Sequence, residues 1–338
     1  MSDTRNRQIR LASRPKGWVT EENFEVTEEA VREVSDGQIL VRNICMSVDP
    51  YMRGRMNDTK SYVEPFQIGQ VCQAGVVGQV VQSHSGDFAE GDYVTGMLGW
   101  ENYSVSDGTG LRKIEKTSAP LSYHLGILGM PGMTAWIGLM KIGAAKAGEQ
   151  VFVSAASGAV GSVVGQLAKI HGCSVAGCAS SDEKVDLLRT EFGYDTAFNY
   201  RNSESLPKSI AEVCPSGIDV NFENVGGDIF EAALWNMRDH GRIALCGMIS
   251  NYNDEELQPG PRGMMVIIGK RLTLQGFIVT DHPADCGDYV KKAAGWLHEG
   301  KLKYRETVAE GIENAPRAFI DMLNGRNIGK QIVRLADD

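Results

Sequence analysis

The stretch QVFVSAASGAVGSVVGQLAKIHG, residues 150–172, constrains the fold more than any other part of the chain. An apolar strand runs into a turn with Ala156, Gly158 and Gly161 spaced as A-x-G-x-x-G. An apolar helix follows directly and closes at Gly172, a residue suited to a helix C-cap. Between a strand and a helix, small residues at this spacing have definite uses. Gly158 lets the backbone approach a diphosphate, and Gly161 lets the helix pack closely on the strand. Unpaired N–H groups and the positive dipole end at the start of the helix then face the anion. Because Ala156 replaces the first glycine of the full pattern, the turn alone would also suit a plain β–α connection.

The sequence that follows favours the dinucleotide reading. The strand CSVAGCA leads into a helix over about 182–192, and TAFNY into a helix near 204–213. GIDVNFENV is followed by the helix IFEAALWNM and the strand GRIALCG. LTLQGFIV and a helix over about 284–299 close the series. Repeated β–α–β units build a parallel sheet with helices on both faces. Residues 1 to about 120 have a different texture. QILVRNICMSV, AGVVGQVV, DYVTGM and ENYSV are short apolar runs punctuated by Gly, Asp and Ser without helical periodicity, which predicts an antiparallel barrel or sandwich. The terminal run KQIVRL reads as a strand that rejoins it. A length of 338 residues suits two domains. The expected fold class is therefore α/β. A mainly β domain is expected over residues 1–125, a doubly wound parallel domain over 126–300, and a segment returning to the first over 301–338.

Bulk properties exclude several partner classes. The net charge is −9, with both signs mixed and no basic run, so nucleic acid is not an expected partner. No apolar run is long enough to span a membrane, and MSDTRNRQIRLASRP has neither a signal core nor a cleavage site. Seven scattered cysteines without a C-x-x-C pair read as reduced, mostly buried thiols of a cytoplasmic protein.

The end of the second strand of the α/β region bears on which dinucleotide binds. Sites for NAD carry an acid there to hold the ribose hydroxyls. Here the segment is Gly177, Cys178, Ala179, Ser180, Ser181, with no carboxylate at the strand end, and Lys184 follows on the first turn of a helix. Taken alone, Lys184 would be a solvated helix-face lysine. Beside a strand end that lacks the acid, it points to the 2′-phosphate of NADPH.

A β domain followed by this α/β order suggests the medium-chain dehydrogenase/reductase superfamily, many members of which use catalytic zinc. Ser47 and Val48 stand where zinc alcohol dehydrogenases place a Cys-His pair, and Gln70 where they place a histidine. No close set of four cysteines is present, and His84 and His124 have no ligand partners at useful spacing, so no metal is expected. In more detail, LASRP, SVDPYMRGRM, LGMPGMTAW, AASGAVGS, SSDEK, FENVGG, CGMISNYN, GFIV and NIGK occur in order along nearly the whole chain. With these the chain resembles the zinc-independent, NADPH-dependent alkenal/one reductases, a family that includes curcumin and prostaglandin/leukotriene reductases. The bacterial curcumin reductases are the nearest in pattern.

That resemblance implies a Rossmann domain joined to a GroES-like β domain, and a homodimer. It implies diphosphate binding by Gly158, Ala159, Val160 and Gly161, and 2′-phosphate contacts from Lys184 and Tyr200. It places Asn224 near the nicotinamide or ribose, and a loop of Cys246, Gly247, Met248, Ile249, Ser250, Asn251 and Tyr252 along the cofactor. Phe277, Ile278 and Val279 would bound the nicotinamide, and Asn327 would reach it. Without the family, Phe277–Val279 would read as a core strand.

The implied reaction is reduction of the C=C bond of an α,β-unsaturated ketone or aldehyde. Hydride reaches the β-carbon, negative charge develops as an enolate, and a donor aimed at that oxygen lowers the barrier. Tyr252 is the catalytic candidate by family pattern and Tyr62 the second, with water able to deliver the proton instead. Tyr51 either packs or positions substrate. As a plain structural residue, Tyr252 would be a packed loop tyrosine. The stretch from Asn253 to Ile268 would line the pocket, unless its apolar end, Met264 to Ile268, is core or a subunit contact. Two other readings fit the same residues: a zinc-free quinone reductase, which would turn over quinones but not enones, and a non-catalytic NADPH-binding protein.

Overall fold

The computed structural model describes residues 4–117, 119–256 and 258–337. The chain divides into two compact units. One comprises Met1–Leu125, Glu306–Asn327 and Gln331–Asp338, and the other Gly126–Arg305 with Ile328–Lys330.

The first unit begins with an antiparallel pair, β1 (Arg5–Leu11) and β2 (Phe24–Ala30). Burial alternates along β1 and β2 is largely exposed, as expected where only one face meets a core. β3 (Ile39–Ser47) leads through the one-turn helix α1 (Met52–Arg55) to β4 (Gln73–Ser83), β5 (Tyr93–Gly99), β6 (Tyr103–Ser106) and β7 (Arg112–Ile114). β3 pairs antiparallel with both β4 and β6, and β4 with β5. The β3–β4 contact is close because of Gly78, where a Cβ would lie 2.6 Å from the Arg42 carbonyl oxygen.

The second unit opens with α2 (Met130–Ile137) and then alternates. β8 (Gln150–Val153) leads to α3 (Gly161–Ile170), β9 (Ser174–Ala179) to α4 (Asp182–Thr190), and β10 (Thr196–Asn199) to α5 (Leu206–Val213). β11 (Ile218–Glu223) precedes α6 (Gly227–Asn236), β12 (Met237–Leu245) precedes α7 (Met264–Gly269), and β13 (Thr273–Gly276) precedes α8 (Pro283–His298). The strands form one parallel sheet in the order β10-β9-β8-β11-β12-β13. Val151, Phe152, Val153, Val175, Val220 and Phe222 are fully buried, the near-continuous apolar pattern of strands covered on both faces.

The chain then returns to the first unit. β14 (Glu306–Glu310), α9 (Ala315–Leu323) and β15 (Lys330–Arg334) follow, and β15 pairs antiparallel with β3. The sheet of that unit runs β14-β15-β3-β4-β5-β7, and Ile332 joins Ile44, Val77, Leu121 and Leu125 in its core. No helix among the described residues is long and apolar enough to cross a membrane.

Several local expectations change. The strand read through LTLQGFIV stops at Gly276. Among the described residues β13 is an edge strand with a single neighbour, and Phe277 instead turns its ring onto Phe222, 6.4 Å away and nearly perpendicular. Of the Met264–Ile268 stretch, Met264, Met265 and Ile268 are exposed, while Ile267 packs against the core of the α/β unit. Residues 301–305 belong with the α/β unit rather than with the returning segment.

Candidate active site

Order in the parallel sheet reverses between β8 and β11, since β9 and β10 lie to one side and β12 and β13 to the other. Ligands of such sheets bind at the carboxyl ends of the strands at this switch. The residues at that point are Ser154, following β8, and Glu223 and Asn224, at the end of β11. Asn224 donates its backbone N–H to Ser154 Oγ and its side-chain amide to the Ser154 carbonyl, each at 2.8 Å.

From Ser154 the chain enters the glycine turn. Ala155 sits at φ +47°, a region non-glycine residues seldom adopt. A Cβ on Gly161 would lie 2.5 Å from the Ala155 carbonyl oxygen and 2.8 Å from Ala156 Cα, so only glycine allows α3 to start this close to β8. The amides of Gly158 and Ser162 are used within the turn, while those of Ala159 and Val160 take no backbone acceptor among the described residues. Two unpaired amides, a close-packed glycine and the start of a ten-residue helix fit a diphosphate. The turn is also backed by NIGK. Gly329 bridges Gly158, its N–H reaches the Ser157 carbonyl at 2.9 Å, and the Lys330 N–H reaches the Arg305 carbonyl at 3.0 Å. Asn327, two residues before Gly329, is half-buried.

At the end of β9, Ser181 caps α4 by accepting the Lys184 N–H. Lys184 is only 7% exposed, and burial together with the nearby Arg201 charge pushes its pKa down. Asp182 is the nearest acid to this strand end, but its carboxylate accepts the side-chain amides of Asn199 and Asn202. Those bonds hold the turn carrying Tyr200 and Arg201 against the start of α4. The structure thus gathers Lys184, Tyr200 and Arg201. Sequence reading missed Arg201, although its position next to Tyr200 was a signal.

On the other side of the switch, β11 and β12 end together. The Glu223 carbonyl accepts the N–H groups of Cys246 and Gly247, and Ile249 and Ser250 donate to the carbonyls of Asn224 and Val225. The loop 246–252 therefore rests on FENVGG. A Cβ on Gly226 would meet Met248, Asn251 and Ser250 side-chain atoms at 3.0–3.1 Å. The oxygen of Tyr252 accepts the Met248 N–H at 3.4 Å, which leaves the phenolic hydrogen for donation. Burial pushes the Tyr252 pKa up, and the Met248 amide opposes that. Phe277 and Ile278 are half-buried and Val279 is buried, so these residues belong to the same unit as the loop without extending β13.

In the β unit, Tyr51 sits in α1's cap, and burial and the charge of Asp49 push its pKa up while Arg55 opposes this. Tyr62 is 64% exposed. At the positions a zinc enzyme would use, Ser47 donates to Asp49, Val48 is buried and Gln70 is exposed. His84 is exposed and His124 half-buried. Among the described residues no group of three or more His, Cys, Asp or Glu side chains is placed to hold a metal ion.

A parallel sheet with a glycine turn at its switch point, a pair of cations at the next strand end and a separate antiparallel β unit define a dinucleotide-binding oxidoreductase. A family model described as the N-terminal domain of oxidoreductase matches residues 7–114, and one described as zinc-binding dehydrogenase matches residues 159–295. The chain is 42% identical to the NADPH-dependent curcumin reductase of Escherichia coli, covering 99% of this chain and 98% of that protein. It is 45% identical to the NADP(+)-dependent 2-alkenal reductase of Nicotiana tabacum, covering 98% of each. The crystal structure of CurA in complex with NADPH from Vibrio vulnificus superposes with a TM-score of 0.93 at 42% identity, over 98% of this chain and 100% of that one. The chain belongs to the medium-chain dehydrogenase/reductase family, with its Rossmann and GroES-like folds, in the group that contains these reductases.

Proposed function

We infer that this chain is an NADPH-dependent oxidoreductase that reduces the C=C bond of α,β-unsaturated aldehydes and ketones. The observation that carries this is the reversal of strand order between β8 and β11. There the Gly158–Gly161 turn, the Lys184 site and the Tyr252 loop serve one unit, in a chain similar end to end to a 2-alkenal reductase and a curcumin reductase.

Each residue has a physical task. Gly158, Ala159, Val160 and Gly161 hold the diphosphate on backbone amides. Lys184 and Tyr200, with Arg201 beside them, hold the 2′-phosphate. Asn224, residues 246–252, Phe277–Val279 and Asn327 position the nicotinamide half. When bound, NADPH supplies the hydride that reaches the substrate's β-carbon. Tyr252 donates a hydrogen bond to the oxygen on which enolate charge develops, and it or water delivers the proton. Tyr62 is a second donor and Tyr51 positions substrate.

The reaction is zinc-independent, since Ser47, Val48 and Gln70 offer no ligand set of the usual kind. One or two phenols can stabilise a delocalised enolate without a Lewis acid. We also propose a cytoplasmic homodimer. The edge strand β13 has one neighbour, and Met264, Met265 and Ile268 of α7 and Trp235 of α6 expose apolar surface in the same unit.

The test uses NADPH carrying deuterium at the transferable C4 position with a simple enone. Label at the β-carbon of a saturated ketone is expected. Label on the carbinol carbon of an allylic alcohol would refute the reading and indicate carbonyl reduction.

A further inference from the structure

The ends of β8, β11 and β12 meet on one side chain that the proposed chemistry does not use. Glu223 is fully buried. One carboxylate oxygen accepts Ser154 Oγ at 2.9 Å and the N–H groups of Val225 and Gly226 at 2.8 Å each. The other accepts the Asn221 side-chain amide at 3.1 Å. Ser154 Oγ itself accepts the Asn224 N–H, and its own hydrogen goes to Glu223 at 2.9 Å in preference to the more distant Phe222 carbonyl at 3.5 Å. Four donors and no acceptor mark an ionised carboxylate. Its partners are all neutral, and no Lys, Arg or His is among the groups that act on it. Cys246 lies within its electrostatic reach, and burial pushes that thiol up to about 12, so it adds no charge at neutral pH. The molecule has therefore placed an uncompensated negative charge beneath the β11–β12 side of the switch, where burial opposes its ionisation.

Capping the Val225–Gly226 turn does not require a charge, because a neutral acceptor would serve. A charge matters where the group above changes its own. A reduced nicotinamide ring is neutral, and the ring that has released hydride, two electrons with one proton, carries one positive charge. We propose that Glu223 is a positioning residue whose fixed charge favours the oxidised over the reduced nicotinamide at this site, biasing the site toward hydride departure. This rests on the reading of the α/β unit as a nicotinamide site. For a ring about 10 Å from the carboxylate, at an effective dielectric of about 20, a unit charge pair corresponds to a preference of roughly tenfold.

The experiment measures NADP+ and NADPH dissociation constants on the full chain by calorimetry, for the unsubstituted protein, Glu223→Gln and Glu223→Asp. Glutamine is nearly isosteric. Asn221 Oδ1, buried without a hydrogen-bond partner, can take the new amide hydrogen once the Asn221 amide flips. The expected result is a roughly tenfold fall in the affinity for NADP+ relative to NADPH in Glu223→Gln, with Glu223→Asp within about threefold of the unsubstituted ratio. A merely structural role would weaken both cofactors alike and leave the ratio unchanged, which overturns the proposal. Should the glutamine variant fail to fold, a folded aspartate variant whose ratio falls tenfold, despite its retained charge, overturns it as well. Failure of the unsubstituted chain to bind either dinucleotide is a different result and removes the cofactor reading itself.

Discussion

Replacing Lys184 by alanine tests the cofactor assignment most directly. Lys184 sits on the first turn of α4, 7% exposed, and both burial and the Arg201 charge act against its protonated form. A phosphate in that corner relieves both penalties, so the lysine contact is stronger there than at an exposed site. A hydrogen bond to a charged group contributes about 1.5–3 kcal/mol. Arg201 remains in the variant, but it is exposed, and solvent screening limits how far it can substitute. A loss of about 2 kcal/mol follows, a roughly thirtyfold weaker NADPH constant. NADH, lacking the phosphate, should change by less than about twofold. Fluorescence titration of both cofactors at fixed ionic strength measures the pair of constants. Equal weakening of NADH and NADPH, or no weakening of either, would refute the assignment.

Other expectations follow from the same geometry. Gly161→Ala drives a methyl to 2.5 Å from the Ala155 carbonyl oxygen. It should lower stability by about 1–3 kcal/mol in thermal melts and weaken NADPH and NADH together; unchanged binding would detach the turn from the diphosphate. Tyr252→Phe should lower turnover about tenfold, less than a fully preorganised donor commands because Tyr62 or water can substitute, while the NADPH constant stays put. Since burial holds the Tyr252 pKa above its ordinary value near 10, the protonated donor persists as pH rises. The alkaline loss of turnover due to this group should then begin only above about pH 10. Activity should survive chelation; loss with EDTA that zinc restores would overturn zinc independence.

What the sequence made legible follows physical lines. The glycine turn could be read because Ala156, Gly158 and Gly161 sit between an apolar strand and an apolar helix, and their spacing has steric meaning in that setting alone. Lys184 could be read because no acid ends β9. That Asp182, two residues before it, is occupied by Asn199 and Asn202 could not, since those bonds join residues brought together only by the β9–β10 pairing. Arg201 could have been read from its place next to Tyr200, but its approach to Lys184 follows from the same pairing. α2 was missed because LGMPGMTAW lacks a polar face; Gly132 is there for space, its Cβ position lying 2.0 Å from the Ile127 carbonyl oxygen. β13 was read too long because Phe277, Ile278 and Val279 favour strands, and local preference does not reveal that the sheet edge supplies no further partner. Glu223 looked like one acid within FENVGG; three of its four neutral donors lie within three residues of it, but how they wrap the carboxylate and bring Ser154 from β8 onto it appears only in the fold.

The bridge between Gly329 and the glycine turn has a consequence for how the chain comes off the ribosome. Gly329 adopts φ +66°, with a Cβ position 2.0 Å from the Arg305 carbonyl oxygen, so no other residue can take its place without displacing backbone. Every strand of the parallel sheet is synthesised before that residue appears. During translation the sheet can pair and its helices can dock, yet the Ser157 carbonyl still lacks its donor. Since domains generally fold as units, N-terminal first, the nucleotide turn is the last part of the α/β unit to be completed. A nascent chain therefore acquires its finished turn only once Gly329 has been made, after every strand of the sheet that will carry the cofactor.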